Sequence, residues 1–220
     1  AASEDGFPWE IFDNLLSTAT SAGNLELIQM LLEYGYPTNE LSIWQTLIQA
    51  IYTDNIEIVR YLCEERSAPV SYAYQDNASP MEAAAMRGSV AIAEYLVSRG
   101  VDITREEDCL PNAVMKGHAE MVKYLLAQGA APETFADAMY EAIQNGRLDL
   151  LELLVEAGAD VNGTLNSTPM LCFAARGESV GIVQYLIDHG ADVNVRDPDG
   201  MTPGDLALTE QMKKVIEQAG

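Results

Sequence analysis

The chain has 220 residues, 48% of them hydrophobic, so it is long and apolar enough to bury a core. Its 34 acidic residues outnumber its 12 basic residues, which gives a formal net charge of −22. Binding to nucleic acid or to an anionic membrane surface requires many lysines and arginines. We therefore expect neither a nucleic acid nor a membrane as a partner.

The three cysteines, Cys63, Cys109 and Cys172, are odd in number and show no C-x-x-C spacing. This pattern predicts neither a disulfide framework nor a zinc site, and it fits a reducing compartment. The opening "AASEDGFPWEIFDNLL" lacks the basic and apolar regions of a secretory signal, and no run reaches the ~18 apolar residues of a membrane span. We expect a cytoplasmic protein without cofactor or metal.

One pattern recurs along the chain: a turn residue, then apolar residues at helical spacing, and commonly a second glycine. Examples are "GNLELIQMLLEYG" from Gly23 and "GHAEMVKYLLAQG" from Gly117. Glycine at the end of such a helix adopts the left-handed conformation at little cost. The six copies lie 29 to 34 residues apart and begin at Gly23, Asp54, Gly88, Gly117, Gly146 and Gly177.

A shorter helix rich in small residues precedes each turn, as in "SPMEAAAMRG" and "DAMYEAIQNG". Its alanines allow neighbouring helices to pack closely. At Thr168-Pro169 and Thr202-Pro203 we expect the hydroxyl to cap a helix and the proline to occupy the first turn, where no N–H is needed.

These residues resemble the ankyrin-repeat family, whose units of about 33 residues carry a T-P-L-H-x-A motif. The resemblance implies an all-α solenoid of stacked helix-turn-helix units, with about six repeats, a C-terminal capping repeat and short or clipped β-hairpin fingers. It implies a single domain spanning residues 1–220. The approximate repeats are 10–40, 41–74, 75–105, 106–133, 134–163 and 164–198, and the cap is 199–220.

The chain departs from this family at the motif histidine, and we expect less regular packing between repeats as a result. The connections after Gly100 and Gly129 are short, so those two fingers should be clipped or absent. The histidine position is held by Ser17, Ile48, Glu82, Pro111, Tyr140, Leu171 and Asp205.

The stretch "GADVNVRDPDGMTP" has the aspartates and glycine of a calcium loop. Counting from Asp197, however, places Leu208 at the twelfth position, where an EF-hand requires a bidentate glutamate. We therefore expect a finger turn whose aspartates form local hydrogen bonds.

Catalysis has little support in the sequence. The nearest nucleophile and base, Cys109 and His118, flank opposite ends of one short helix and should lie more than ~10 Å apart, given the rise per residue of an α-helix. No glycine-rich phosphate loop is present. An enzyme or metal protein using these two residues and the acids stays a remote alternative.

The resemblance implies that a partner binds the concave surface formed by the short inner helices and the fingers. Tyr52, Met86 and Met115 stand two residues before successive turns, and such apolar side chains are typical of binding hot spots. The alternative is that these residues pack between repeats. We expect Trp44, Tyr72, Tyr74 and Phe135, on or beside fingers, to extend the site. The predicted partner-binding residues are Trp44, Tyr52, Tyr72, Tyr74, Met86, Arg87, Met115, Lys116, Phe135 and Gln144.

The sequence therefore favours a non-catalytic protein-protein interaction scaffold, monomeric, that binds a partner with a basic surface. The strong negative charge leaves a sharper alternative open. An acidic, compact repeat protein is suited to neutralising a basic toxin or nuclease, in the manner of an immunity protein.

Overall fold

The computed structural model describes residues 9–33, 40–71 and 78–220, with side chains from residue 14 onwards. It divides into two compact units, residues 1–102 and 103–220. Both units consist of antiparallel helix pairs, so the prediction of an all-α repeat fold with clipped fingers is confirmed. The prediction of one domain with the repeat bounds given above stays a prediction.

The described residues of unit 1 form three helix pairs. The inner helices α1, α3 and α5 pack against one another in series, and each also packs against the outer helix that follows it. The elements are α1 (Trp9–Ser21), α2 (Leu25–Glu33), α3 (Glu40–Tyr52), α4 (Ile56–Glu65), α5 (Pro80–Arg87) and α6 (Val90–Ser98).

Unit 2 contains four helix pairs packed in the same way. Its helices are α7 (Cys109–Lys116), α8 (Ala119–Ala127), α9 (Phe135–Gln144), α10 (Leu148–Glu156), α11 (Met170–Ala175), α12 (Val180–Asp188), α13 (Pro203–Leu206) and α14 (Glu210–Ala219). The short α13 and the polar α14 form the predicted C-terminal cap, in which only Met212 and Ile216 of α14 are buried.

Most turns between paired helices have a left-handed residue, as at Gly23, Asp54, Gly88, Gly117 and Gly146. Gly117 has φ +79°, a conformation that residues with a side chain rarely adopt, so the backbone favours glycine there. Asp54 replaces glycine in the second copy and still adopts φ +58°. Gly177, in the copy with one extra residue, is absent from the positive-φ positions, so that turn has a different form.

Two inner helices begin with a capping box. The Ser79 hydroxyl accepts the Glu82 N–H, and the Glu82 carboxylate accepts the Ser79 N–H in return. Thr202 and Asp205 form the same arrangement. The predicted cap at Thr168-Pro169 is wrong, because these two residues form a strand and α11 begins at Met170 without a side-chain cap.

The fingers differ in length as the sequence predicts. Short 3₁₀ turns, Ile103–Arg105 and Pro132–Thr134, occupy the connections expected to be clipped. Between α10 and α11, strand β1 (Thr164–Leu165) pairs antiparallel with β2 (Thr168–Pro169). Asn166 and Ser167 at the tip have φ +49° and +64°, which is the backbone of a tight hairpin turn.

Asp197 organises the finger that precedes α13. Its Oδ1 accepts the N–H groups of Asp199 and Met201 at 3.0 and 2.9 Å, and its Oδ2 forms an ion pair with Arg176 at 2.5 Å. The Asp197 side chain is fully buried. The aspartate therefore shapes the turn by local hydrogen bonds, as predicted.

Within each unit, the core lies between the inner and outer helices of each pair and between successive pairs. Alanines on the inner helices, such as Ala84 and Ala142, are fully buried and allow close helix approach. Larger apolar side chains of both helix layers fill the remaining space. Fully buried examples are Leu47, Leu62, Leu96, Leu110, Met121, Leu125 and Met139.

Candidate functional site

The exposed face of inner helix α3 is the first part of the candidate site. Gln45, Ile48 and Gln49 precede Tyr52 by seven, four and three residues, so all four lie on one helix face. Gln45 and Tyr52 are exposed, whereas Ile48 and Gln49 are half-buried. This face presents an aromatic ring and two amides.

A cavity of about 580 Å³ adjoins this face in unit 1. It lies along α1 and α3, and its charge is low because amides and hydroxyls supply its polar lining. Gln49 Nε2 donates to Ser21 Oγ across the two helices at 3.1 Å. The cavity is lined by Asn14, Leu16, Ser17, Ser42, Trp44, Gln45, Thr46, Ile48, Gln49, Tyr52 and Ala78.

Tyr52, Met86 and Arg87, three of the predicted binding residues, lie together in unit 1. The Tyr52 hydroxyl donates to Met86 Sδ at 3.7 Å, and Arg87 Nε donates to the Tyr52 carbonyl at 3.1 Å. Tyr52 nevertheless remains 41% exposed. The side chain therefore packs against the next repeat and still exposes much of its surface. The two alternatives drawn from the sequence, packing between repeats and an exposed binding residue, both apply to Tyr52.

Trp44, expected on or beside a finger, lies near the start of α3, and its part in partner binding stays a prediction. It occupies the fifth position of α3 and is only 5% exposed. Helix α3 has 13 residues and extends further toward the N-terminus than the 8-residue α5, so Trp44 is part of the helix. Trp44 does line the same cavity as Tyr52, so the structure brings these two predicted residues to one place.

The predicted residues of unit 2 lie at the ends of inner helices. Met115 is 37% exposed, and its neighbour Lys116 is also exposed at the end of α7. Gln144 is exposed at the end of α9, and half-buried Phe135 begins that helix after the 3₁₀ turn. Tyr72 and Tyr74 lie outside the described residues.

A second cavity, of about 620 Å³, lies along α7 and α9 within unit 2. Its lining combines carboxylates with a few apolar side chains, in contrast to the amides of the first cavity. The lining residues are Glu107, Asp108, Pro111, Asn112, Glu133, Thr134, Asp137, Tyr140, Glu141 and Leu165.

None of these lining residues is among the predicted binding residues, although a signal for several of them exists. Asp108 and Asn112 precede Met115 by seven and three residues, and Asp137 and Glu141 precede Gln144 by the same intervals. Residues three and seven positions before a predicted residue lie on the same helix face, so inspecting those positions identifies these four side chains. Pro111 and Tyr140 hold the motif-histidine position, so the cavity lies where that side chain is replaced.

The buried thiols of Cys63 and Cys172 are poor nucleophiles. Burial raises the pKa of Cys63 to about 11 and that of Cys172 to about 11, so both remain protonated at neutral pH. Cys109 Sγ lies 4.0 Å from Glu106 Oε2 at the start of α7. His118 instead precedes α8 at the far end of that helix, as the spacing predicts.

The second histidine, His189, has structural contacts within its own segment. His189 Nδ1 lies 2.8 Å from the Tyr185 carbonyl oxygen, and the two rings stack at 4.0 Å. Within residues 9–33, 40–71 and 78–220, no group of three or more histidine, cysteine or acidic side chains is placed to hold a metal. The same residues include no helix of the length and apolar character needed to cross a bilayer.

The fold and the site together define a helical repeat protein with exposed inner-helix faces. Models of the ankyrin-repeat family match residues 15–107 and 104–164 as arrays of repeats and residues 165–198 as a single repeat. The chain belongs to the ankyrin-repeat family. Members of this family are in general protein-protein interaction scaffolds and are typically not enzymes.

A solved structure supports the same assignment. The crystal structure of the human ASB11 ankyrin repeat domain superposes with a TM-score of 0.79 at 25% sequence identity, covering 93% of this chain and 97% of that one. In total 424 solved chains match, so the fold alone does not single out a partner. No curated protein matches the sequence.

Proposed function

We propose that this chain is a non-catalytic protein-protein interaction scaffold that binds a protein partner on its inner-helix faces, the concave surface of the family. The observation that carries the proposal is Tyr52, whose side-chain hydroxyl donates to Met86 Sδ and whose backbone carbonyl accepts from Arg87, and which is yet 41% exposed. An aromatic side chain fixed in this way loses little conformational entropy on binding and releases much surface from water.

Other predicted residues support the proposal by their position. Met115 and Gln144 occupy the same repeat position as Tyr52 and Met86 and are exposed in unit 2. Arg87 and Lys116, one residue further on, add polar and basic groups beside them. Trp44 and Phe135 belong to the proposal as flanking residues, one lining the first cavity and the other beginning α9.

Substituting Tyr52→Ala together with Met86→Ala is expected to weaken partner binding by at least about 30-fold, which is ~2 kcal/mol. The measurement is capture from the source lysate on wild-type and variant baits in parallel, with quantitative mass spectrometry of the bound proteins. The partner so identified is then titrated against both proteins.

The matched control is Met30→Ala, which removes an exposed methionine from outer helix α2 in the same unit. We expect this variant to bind like the wild type, within about twofold. Equal binding by all three baits would place the partner elsewhere and reject the proposed inner-helix site.

A second candidate function is inhibition of a basic toxin or nuclease, and the net charge of −22 favours it. The electrostatic field of a chain with this charge accelerates the association of a basic partner at low salt. An inhibitor of this kind forms a stoichiometric complex with a basic protein and abolishes its activity. A partner that stays fully active in the complex would instead support a plain scaffold.

We further propose that the protein is monomeric and works in the cytoplasm. Its three cysteines are free and buried, which suits a reducing compartment. An enzymatic role is disfavoured by the high pKa of Cys63 and Cys172 and by the separation of Cys109 from His118 along the chain.

A further inference from the structure

The guanidinium group of Arg87 is held in place beside Tyr52, one of the residues that line the first cavity. Its Nε–H donates to the Tyr52 carbonyl at 3.1 Å, and the Arg87 side chain is exposed. Within the part of the chain that the structure describes, its two terminal nitrogens, Nη1 and Nη2, form no hydrogen bond. The carbonyl therefore orients the planar group and leaves its outer edge available to a ligand.

Arg87 also has no carboxylate partner, although acidic residues outnumber basic ones by 34 to 12 in this chain. Among the described residues no acid forms an ion pair with it, and this includes Asp54, which lies two residues beyond Tyr52. The fork of N–H donors on an arginine matches the two oxygens of a carboxylate. Arg87 thus keeps its capacity for the anion that suits it best.

The same repeat position supplies an example of such a pair elsewhere in the chain. Arg176 stands one residue before its turn glycine, as Arg87 does, and it forms an ion pair with Asp197. Asp197 lies on the long finger that precedes α13. The connection after α6 is clipped to the 3₁₀ turn Ile103–Arg105, so Arg87 lacks a finger of that length. The carboxylate position at Arg87 is therefore left to be filled by another molecule.

The cavity that Tyr52 lines is uncharged, in contrast to the acidic character of the whole chain. None of its lining residues carries a charge, and amides and hydroxyls supply its polar groups. At physiological ionic strength, charges more than about 8 Å apart are largely screened, so a contact here depends mainly on the groups beside it. The exposed Tyr52 ring and the Arg87 guanidinium together fit an apolar side chain next to a carboxylate.

We propose that Arg87 binds the carboxylate of an acidic side chain of the protein partner, and that a neighbouring apolar side chain of the partner packs on Tyr52. The bidentate pair fixes the orientation of the partner, while the aromatic contact supplies most of the buried surface. The inference rests on the proposed function and adds to it the chemistry that the partner presents to unit 1. A partner that is basic elsewhere still meets this requirement, because one acidic side chain is enough.

The test uses two capped dipeptides, acetyl-Phe-Glu-amide and acetyl-Phe-Gln-amide, which have nearly the same shape and differ by one charge. Each is titrated against the full chain at about 0.15 M salt, and the backbone amide NMR signals of α3 and α5 report binding. We expect the glutamine peptide to bind at least about fivefold more weakly than the glutamate peptide. It keeps the apolar contact and loses the charge-assisted hydrogen bonds.

The variant Arg87→Gln should reduce the difference between the two peptides to less than about twofold, because no cation remains to pair with the carboxylate. If Arg87 only positioned Tyr52, the variant would weaken both peptides equally and leave their ratio unchanged. Arg87→Lys keeps the charge without the fork and should retain part of the preference. The matched control Arg60→Gln removes an exposed arginine from outer helix α4 of the same unit and should preserve it.

Equal binding of the two peptides by the wild type, or no detectable binding of the glutamate peptide, would overturn the inference. An unchanged peptide ratio in Arg87→Gln would overturn it too, as would a preference that Arg60→Gln also removes, since that loss reflects net charge. The natural partner separates this result from the proposed function. If Tyr52→Ala with Met86→Ala abolishes partner binding and Arg87→Gln binds like the wild type, the scaffold function stands and the carboxylate site is rejected. Unchanged partner binding by both proteins would reject the inner-helix site itself.

Discussion

Replacing Leu96 by alanine is expected to lower the free energy of unfolding by about 3 kcal/mol. Leu96 lies on outer helix α6 and is fully buried, so the substitution removes apolar contacts and leaves a cavity. The measurement is urea denaturation followed by circular dichroism, comparing the variant with the wild type.

The control for this prediction is a residue of the same unit with the opposite environment. Met30 on α2 is 49% exposed, and Met30→Ala should change the free energy of unfolding by less than about 0.5 kcal/mol. If Leu96→Ala costs no more than Met30→Ala, the helix pairs of unit 1 do not pack as described.

Asp197→Ala is expected to destabilise the protein by about 2 to 3 kcal/mol. The substitution leaves the N–H groups of Asp199 and Met201 without their acceptor and removes the ion-pair partner of Arg176. Because the Asp197 side chain is fully buried, water does not readily replace it. Urea denaturation gives the change in stability, and hydrogen exchange of the two amides shows whether the finger opens.

Asp199→Ala provides the comparison within the same turn, because Asp199 is exposed. It removes the same charge and should change stability by less than about 0.5 kcal/mol. An equal loss in both variants would mean that the charge of the finger matters and that the buried hydrogen bonds do not.

The repeat spacing predicted the helices because most turns between paired helices need a left-handed backbone. Gly88 and Gly117 adopt positive φ where the pattern requires it, and Asp54 does so without glycine. The pattern does not reveal local adjustments to that geometry. In the second copy, whose final glycine is replaced by Arg66, the positive φ appears one residue later, at Ser67.

The candidate site was predictable only in part. The repeat alignment found Tyr52 and Met86, because a residue at a fixed distance from the turn faces the same side in every copy. It did not show that Trp44 belongs to α3, because the N-terminal extension of this helix carries no distinct sequence signal. The second cavity also escaped it, since Asp108 and Asp137 resemble other surface acids until α7 and α9 are placed side by side.

The central claim is that a protein partner binds the inner-helix faces, and site-specific photocrosslinking tests it most directly. A benzophenone amino acid is placed at Tyr52 or Met115, and in separate proteins at Glu94 or Lys123 on outer helices. We predict that only the inner-helix positions crosslink the partner captured from the source lysate. Adducts formed only from the outer-helix positions would contradict the proposed binding face.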